Sequence, residues 1–305
     1  MKHNFDKILE KLLTSNTKTI YHYTTTPALF NGILTEKDIC LWATNVQYLN
    51  DPSEFFGFKI IQFLLEKDYS KEDLQKFYKI CADNYFVTSF SKHSDYLPMW
   101  SMYGANGTGI SLGFDRAKIE NSSDSGIANC YYIKKEKILK AVFGAEKLDE
   151  IGNFFFPQTS NPSKIEALSY FTKKILNLFI FIFLAKNQSY KYEKELRLIT
   201  NLKVFRIEDC NTTEGITNLV THTQLTKNPL DLKILEEEKQ KIKYRTKNNL
   251  IIPYIEHHFP KETLKEIIIG PTSQMDLSEQ SIRTYLDHLG YGDVKIKRSD
   301  VPYRG

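Results

Sequence analysis

The chain changes hydrophobic period many times, and each change marks an element. Phe5, Ile8, Leu9, Leu12 and Leu13 recur at helical spacing, which predicts a short amphipathic helix over residues 4–14. Short aromatic and β-branched runs predict strands at Tyr21–Thr24, Ile39–Thr44, Tyr85–Phe90, Gly109–Phe114 and Asn129–Ile133. Further strands are predicted at Tyr192–Asn201, Leu250–Ile255, Leu264–Ile269 and Val294–Lys297. Between them lie helical patterns. One opens at Thr26-Pro27, with proline at its first position. Another opens at Asp51-Pro52-Ser53-Glu54, a capping-box arrangement that carries a helix through about Glu66. Others cover Lys71–Ala82, Leu97–Tyr103 (closed by Gly104), Lys135–Asn153, Lys164–Lys186 and Leu277–Leu289. Pro157–Ser163 reads as a loop, and Asp209–Pro229 is polar and turn-rich.

Strands and helices mix here without a regular βαβ alternation. That predicts an α+β fold with a largely antiparallel or split β-sheet and flanking helices, not a doubly wound parallel sheet. No internal repeat or linker-like composition divides the chain. It is read as a single α+β domain, 1–305, with residues 135–190 a helical insertion and 209–230 a flexible loop.

Composition narrows the class. Hydrophobic residues make up 41% of the chain, with 20 Phe and 18 Tyr, enough to fill a core and to exclude a disordered chain. The net charge of +4 comes from 41 basic and 37 acidic residues that interleave, so no single-sign stripe suggests nucleic-acid binding. Cys40, Cys81, Cys130 and Cys210 form no C-x-x-C pair and suggest no disulfide scaffold. The N-terminus lacks a signal-peptide block, and the apolar run Ile175–Ala185 is shorter than the roughly 20 residues that span a bilayer. A reduced, cytoplasmic protein without membrane contact is expected.

Several motifs fail on inspection. Gly104 to Gly113 is glycine-rich, but it leaves a helix and enters a strand, so no helix N-terminus faces a phosphate. Glu256-His257-His258 could suggest a metal, yet adjacent strand histidines point to opposite faces and no third ligand is suitably spaced. No metal is expected.

Four clusters remain. His22, within Tyr21-His22-Tyr23-Thr24, can hold a ligand hydroxyl or sit as a core histidine bonded to backbone. Ser89-Phe90-Ser91 leads to Met99-Trp100-Ser101-Met102-Tyr103, an aromatic surface that can stack a planar ring or simply pack the core. If Tyr192–Asn201 is a strand, Glu193, Glu195, Arg197 and Ile199 share one face. The pairing of Glu195 with Arg197 could be a plain ion pair or a carboxylate held ionised beside a developing cation. Asn50 to Glu54 caps a helix and can also line a cleft.

In this order the clusters resemble an uncharacterised bacterial family, domain of unknown function twenty-nine seventy-one. The resemblance rests on His22-Tyr23-Thr24, Leu41-Trp42, Asn50-Asp51-Pro52-Ser53-Glu54, Ser89-Phe90-Ser91, Met99 to Tyr103 and Tyr192 to Arg197. Ile268-Ile269-Gly270-Pro271 and Val301-Pro302-Tyr303-Arg304 add to it. Where many relatives carry tryptophan before the glutamate-bearing strand, this chain has Tyr190 and Tyr192. The order is also similar to ADP-ribosyltransferases of the His–Tyr–Glu type, and that similarity implies an ADP-ribosyltransferase-like fold with NAD as substrate. It assigns His22, Glu195 and Arg197 to catalysis, and His22, Tyr23, Thr24, Ser89, Ser91 and Tyr103 to NAD binding. His22 would hold a ribose hydroxyl, Glu195 would bond the nicotinamide ribose 2′-hydroxyl, and one of Tyr23, Tyr103 and Tyr131 would stack on nicotinamide.

The resemblance thus implies an NAD-using ADP-ribosyltransferase or NAD glycohydrolase acting as a bacterial toxin or antiphage effector, its acceptor a protein or a nucleic acid. The alternative is a non-enzymatic binding or sensor module in a defence system, with the polar clusters as structural staples. A metal-independent nuclease using His22, Glu195 and Arg197 ranks last, since no basic groove accompanies it.

Overall fold

The computed structural model describes residues 10–50, 79, 82–134, 183–202, 236–247, 249–271 and 274–303. The twelve described strands are β1 (Thr19–Thr24), β2 (Ile39–Asn45), β3 (Tyr85–Ser91), β4 (Ile110–Asp115), β5 (Ile127–Asn129), β6 (Tyr131–Ile133), β7 (Ala185–Asn187), β8 (Glu195–Asn201), β9 (Lys243–Lys247), β10 (Leu250–Phe259), β11 (Leu264–Ile269) and β12 (Lys295–Arg298). Three helices matter for the site: α1 (Leu97–Tyr103), α2 (Arg116–Asn121) and α3 (Met275–His288).

Ten strands form one mixed sheet in the order β12-β11-β4-β1-β3-β2-β10-β9, with β8 beside β3 and β5 beside β8. Its ladders are antiparallel except for β11 with β12. A parallel pair, β6 with β7, stands apart. The fold is therefore α+β, with a mixed, mostly antiparallel sheet flanked by helices.

Alternation along each strand sends every second side chain to one face. Ile20, Leu112, Phe114, Ile267 and Ile269 face a large core closed by Ile119 of α2 and by Ile282 and Leu286 of α3. On the opposite face Tyr23 and Ile268 pack against Met99 and Trp100 of α1. Helix α1 starts with Pro98 in its first turn and ends at Gly104, whose N–H donates to the carbonyls of Met99 and Trp100. Gly109 then runs against β1. A Cβ there would lie 2.3 Å from the Thr24 carbonyl oxygen, so only glycine allows the approach.

Several expectations shift. The strand expected over 192–201 begins at Glu195: residues Gln188–Glu193 form a 3₁₀ turn, and Lys194 takes the left-handed conformation (φ 42°) that separates the two. The run 129–133 divides at Cys130. β5 pairs with β8 and β6 with β7, because the chain passes from one sheet to the other at that residue. Residues 185–187 are strand, not the end of a helix. β9 was not expected at all. It is an exposed edge strand whose sequence, KYRTK, carries no apolar alternation. Of the helix expected over 4–14, residues 10–13 are helical, Thr14 lies just past the helix, and residues 4–9 lie outside the described residues. The elements expected over 51–66, 135–153 and 157–163 and the loop over 209–230 lie outside them too, as do most of the helix over 71–82 and most of the insertion over 135–190.

Candidate functional site

The site grows from a fork in the sheet. One edge of β3 is fully occupied by β8, from Tyr85↔Asn201 to Ser91↔Glu195. The other edge is shared. β2 pairs only at Phe86 and Val87, and β1 only at Ser91. Between them, Thr88 to Phe90 have no ladder partner on that side. A backbone carbonyl exposed in a sheet interior must find a donor. At Ser89 the donor is His22, whose Nδ1–H meets the carbonyl at 3.0 Å. A carbonyl only accepts, so the imidazole carries its proton on Nδ1 and leaves Nε2 as an acceptor. Burial pushes the His22 pKa below its usual value, against the opposing effect of the Ser89 carbonyl, and nearby Arg245 adds to the lowering. The ring is neutral at physiological pH. It meets Phe90 edge-on, with centroids 6.2 Å apart.

Glu195 opens β8 opposite Ser91, and Arg197 lies opposite Ser89. Their face is the one away from Leu196 and Leu198, which enter the core. The Glu195 carboxylate accepts four hydrogen bonds. Oε1 takes the Ser89 hydroxyl (2.6 Å) and Arg197 Nε (2.9 Å). Oε2 takes Lys186 Nζ (2.7 Å) and Arg197 Nη2 (3.1 Å). Burial alone would raise this carboxyl, but the charges of Arg197 and Lys186 outweigh it and hold the pKa down to about 2. Its backbone N–H donates to the Tyr132 hydroxyl at 2.6 Å.

The charge chain continues. Lys186 also reaches Glu193 Oε2 at 2.5 Å, and Glu193 Oε1 accepts from the Tyr103 hydroxyl at 2.6 Å. Arg197 Nη1 ends the chain on the Phe183 carbonyl at 2.8 Å. Lys186, Glu193, Glu195 and Arg197 are all buried, with two charges of each sign. Signs that alternate in this way offset part of the heavy desolvation cost of each ion.

These groups border a partly open cavity of about 110 Å³. It brings together His22, Tyr23, Ser89, Ser91, Tyr103, Glu195 and Arg197 among the residues expected to act. Asn50 lines it as well, while Asp51 to Glu54 lie outside the described residues. Thr24 is not among the lining residues, and neither is Tyr131. The Tyr23 ring meets Trp100 edge-on, with centroids 4.8 Å apart, and both Tyr23 and Tyr103 line the cavity. Burial, followed by the bond to Glu193, raises the Tyr103 hydroxyl well above its usual pKa, so it stays a neutral donor.

Sequence reasoning missed Lys186, the cation shared by both glutamates. It read as the polar end of an apolar helix. A lysine next to Asn187 gives no local sign of burial, and only the β6–β7 pairing, with Lys186 opposite Tyr132, places it here. Glu193 was expected on the strand face. It reaches the cluster from the 3₁₀ turn instead.

Chemically, the cavity is bordered by a neutral imidazole acceptor, a carboxylate ionised at neutral pH and the Tyr103 side chain, whose hydroxyl proton is committed to Glu193. A family model described as "Protein of unknown function (DUF2971)" matches residues 99–198 of the 305. That stretch contains Tyr103, Lys186, Glu193, Glu195 and Arg197, and it excludes His22 and Ser89. No curated protein and no solved structure matches the chain. No described helix is long and apolar enough to cross a membrane.

Proposed function

We propose that the cavity receives the nicotinamide–ribose end of NAD and that the protein is an NAD-using ADP-ribosyltransferase or NAD glycohydrolase. The observation that carries this reading is the convergence of His22 and Glu195 on one cavity, joined through Ser89, which accepts from the first by its carbonyl and donates to the second by its hydroxyl. An ADP-ribosyltransferase-like arrangement of the sheet follows from the sequence resemblance. A role as a toxin or antiphage effector follows from the sequence resemblance.

In this reading His22 Nε2 accepts a ribose hydroxyl, and the Tyr103 ring packs on nicotinamide. The bond between ribose C1′ and the nicotinamide nitrogen breaks. Its electron pair leaves with nicotinamide, which becomes neutral, and positive charge develops on the ribose. Glu195 faces that charge as an anion, and Arg197 and Lys186 keep it ionised at any physiological pH. A preorganised group of this kind stabilises a transition state by about 3–4 kcal/mol. Water or an acceptor nucleophile then adds to C1′ and loses its proton to solvent.

One observation favours a second reading, a non-enzymatic binding or sensor module: both Glu195 oxygens already have protein partners. Chromatography of nicotinamide released from NAD, alone and with protein, DNA or RNA acceptors, separates the two. The enzyme reading expects release by wild type and a fall of about 10²–10³ in Glu195→Gln. A His22→Ala variant with a native melting profile should be similarly impaired. NAD binding without any release favours the module, and equal release by wild type and Glu195→Gln removes Glu195 from catalysis.

A further inference from the structure

A second cluster lies on the β2–β10 ladder, away from the cavity. Cys40 stands directly opposite His258, and Glu256 is two residues earlier on β10. Alternation therefore puts the three side chains on one face, while His257 turns to the other and meets the Thr88 hydroxyl at 3.0 Å. We propose that Cys40, Glu256 and His258 bind a divalent transition-metal ion of the zinc class. One ligand atom from each lies within 4.8 Å of the others. Tetrahedral zinc, with bonds of about 2.0–2.3 Å, needs donors roughly 3.3–3.8 Å apart, so a contraction of about 1 Å completes the set. The mixed S, N and O donors suit zinc or cobalt and not calcium or magnesium.

The histidine is already oriented for the task. Its Nδ1–H donates to Asp38 Oδ2 at 3.0 Å, which leaves Nε2 as the donor atom, 3.6 Å from Glu256 Oε2. A carboxylate behind the far nitrogen is the usual support of a metal-bound imidazole. The linear spacing of Glu256-His257-His258 could not supply the third donor, because it comes from across the ladder. One of the donors already holds a cation: the Lys243 ammonium sits on Glu256 Oε2 at 2.7 Å, on a largely exposed side chain that can swing away. Cys40 is buried, Glu256 half-buried and His258 exposed, so the ion would keep an open coordination position toward solvent. Binding replaces the Cys40 thiol proton with the metal and releases that proton to solvent.

Cobalt(II) titration of the metal-free full chain tests the site, read by absorbance and by calorimetry. Wild type should take up one equivalent and develop visible d–d bands with a near-ultraviolet thiolate-to-cobalt band. Cys40→Ser should lose the thiolate band. His258→Ala, a change at an exposed position, should weaken binding at least tenfold with an unchanged melting curve. Asp38→Asn should weaken it by about 10–100-fold. Lys243→Ala should tighten binding by removing the resident cation. The proposal is overturned if wild type takes up no stoichiometric metal, or if His258→Ala or Cys40→Ser binds cobalt with the wild-type affinity and spectrum. Unchanged or weaker binding in Lys243→Ala would also place the ion elsewhere.

Discussion

Replacing Lys186 with methionine probes the charge chain at its centre. The side chain is only 4% exposed, and its ammonium serves Glu193 at 2.5 Å and Glu195 at 2.7 Å. Methionine keeps the apolar stem and removes the cation. Glu195 retains Arg197 and Ser89, but Glu193 keeps, among the described side chains, only the Tyr103 hydroxyl. Breaking a buried pair from one side typically costs about 3–5 kcal/mol. The wild-type Glu195 carboxyl gives a consistent scale. Its pKa falls from 4.5 to about 2, which corresponds to on the order of 3 kcal/mol net, after the burial that opposes Arg197 and Lys186. Because the folded value is depressed, this stability is complete above about pH 4.5 and is lost as the pH falls toward about 2. The variant has less of it to lose. Urea denaturation followed by circular dichroism should therefore show Lys186→Met less stable by about 3–5 kcal/mol near pH 7. The gap to wild type should narrow near pH 3.5, within that window. A difference under about 1 kcal/mol near neutrality, or a gap constant across this range, would refute a charge chain centred on Lys186.

Three further outcomes follow from single contacts. Gly109→Ala drives a Cβ against the Thr24 carbonyl and should destabilise the fold by about 3 kcal/mol, read as a shift of the urea midpoint. Trp100→Phe removes the Nε1–H bond to Asp95 (2.5 Å), a charge-assisted interaction worth about 1.5–3 kcal/mol; Asp95 keeps Ser299 and the Asp300 N–H, so the loss should stay within that range. His22 should titrate below 6.5 by nuclear magnetic resonance. Since the unfolded chain takes up that proton more readily, stability should fall as the pH drops through 6.5.

The sequence was most legible where one face of an element is buried over its whole length. Leu264–Ile269 and Leu97–Tyr103 have the bounds their apolar patterns predict. It was least legible at edges and crossings. β9 lacks an apolar alternation because it covers its neighbours with the Arg245 side chain, laid over Trp42 and Tyr254, and β10 was read four residues short because Glu256-His257-His258 interrupts its apolar run. The split at Cys130 has no local signal, since membership of one sheet or the other is a property of the partner strands. The same holds for the site. His22, Ser89, Glu195 and Arg197 could be named because aromatic and small-polar neighbours mark them. Lys186 could not, because its burial depends on a strand pair formed across a long stretch of chain. The Cys40–His258 opposition is a matter of ladder register, which neither sequence segment encodes alone.

The most direct test of the central claim uses ¹⁵N-labelled histidine and the ring resonances of His22 during NAD titration. If NAD enters the cavity, the His22 Nε2 signal shifts in a saturable way as the nitrogen accepts a ribose hydroxyl, the exposed His288 signal stays in place, and the His22 response is reduced in Tyr103→Ala. If the His22 nitrogens do not move with NAD raised to about 10 mM, roughly tenfold above the upper end of ordinary enzyme KM values, then the cavity is not an NAD site and the transferase reading fails.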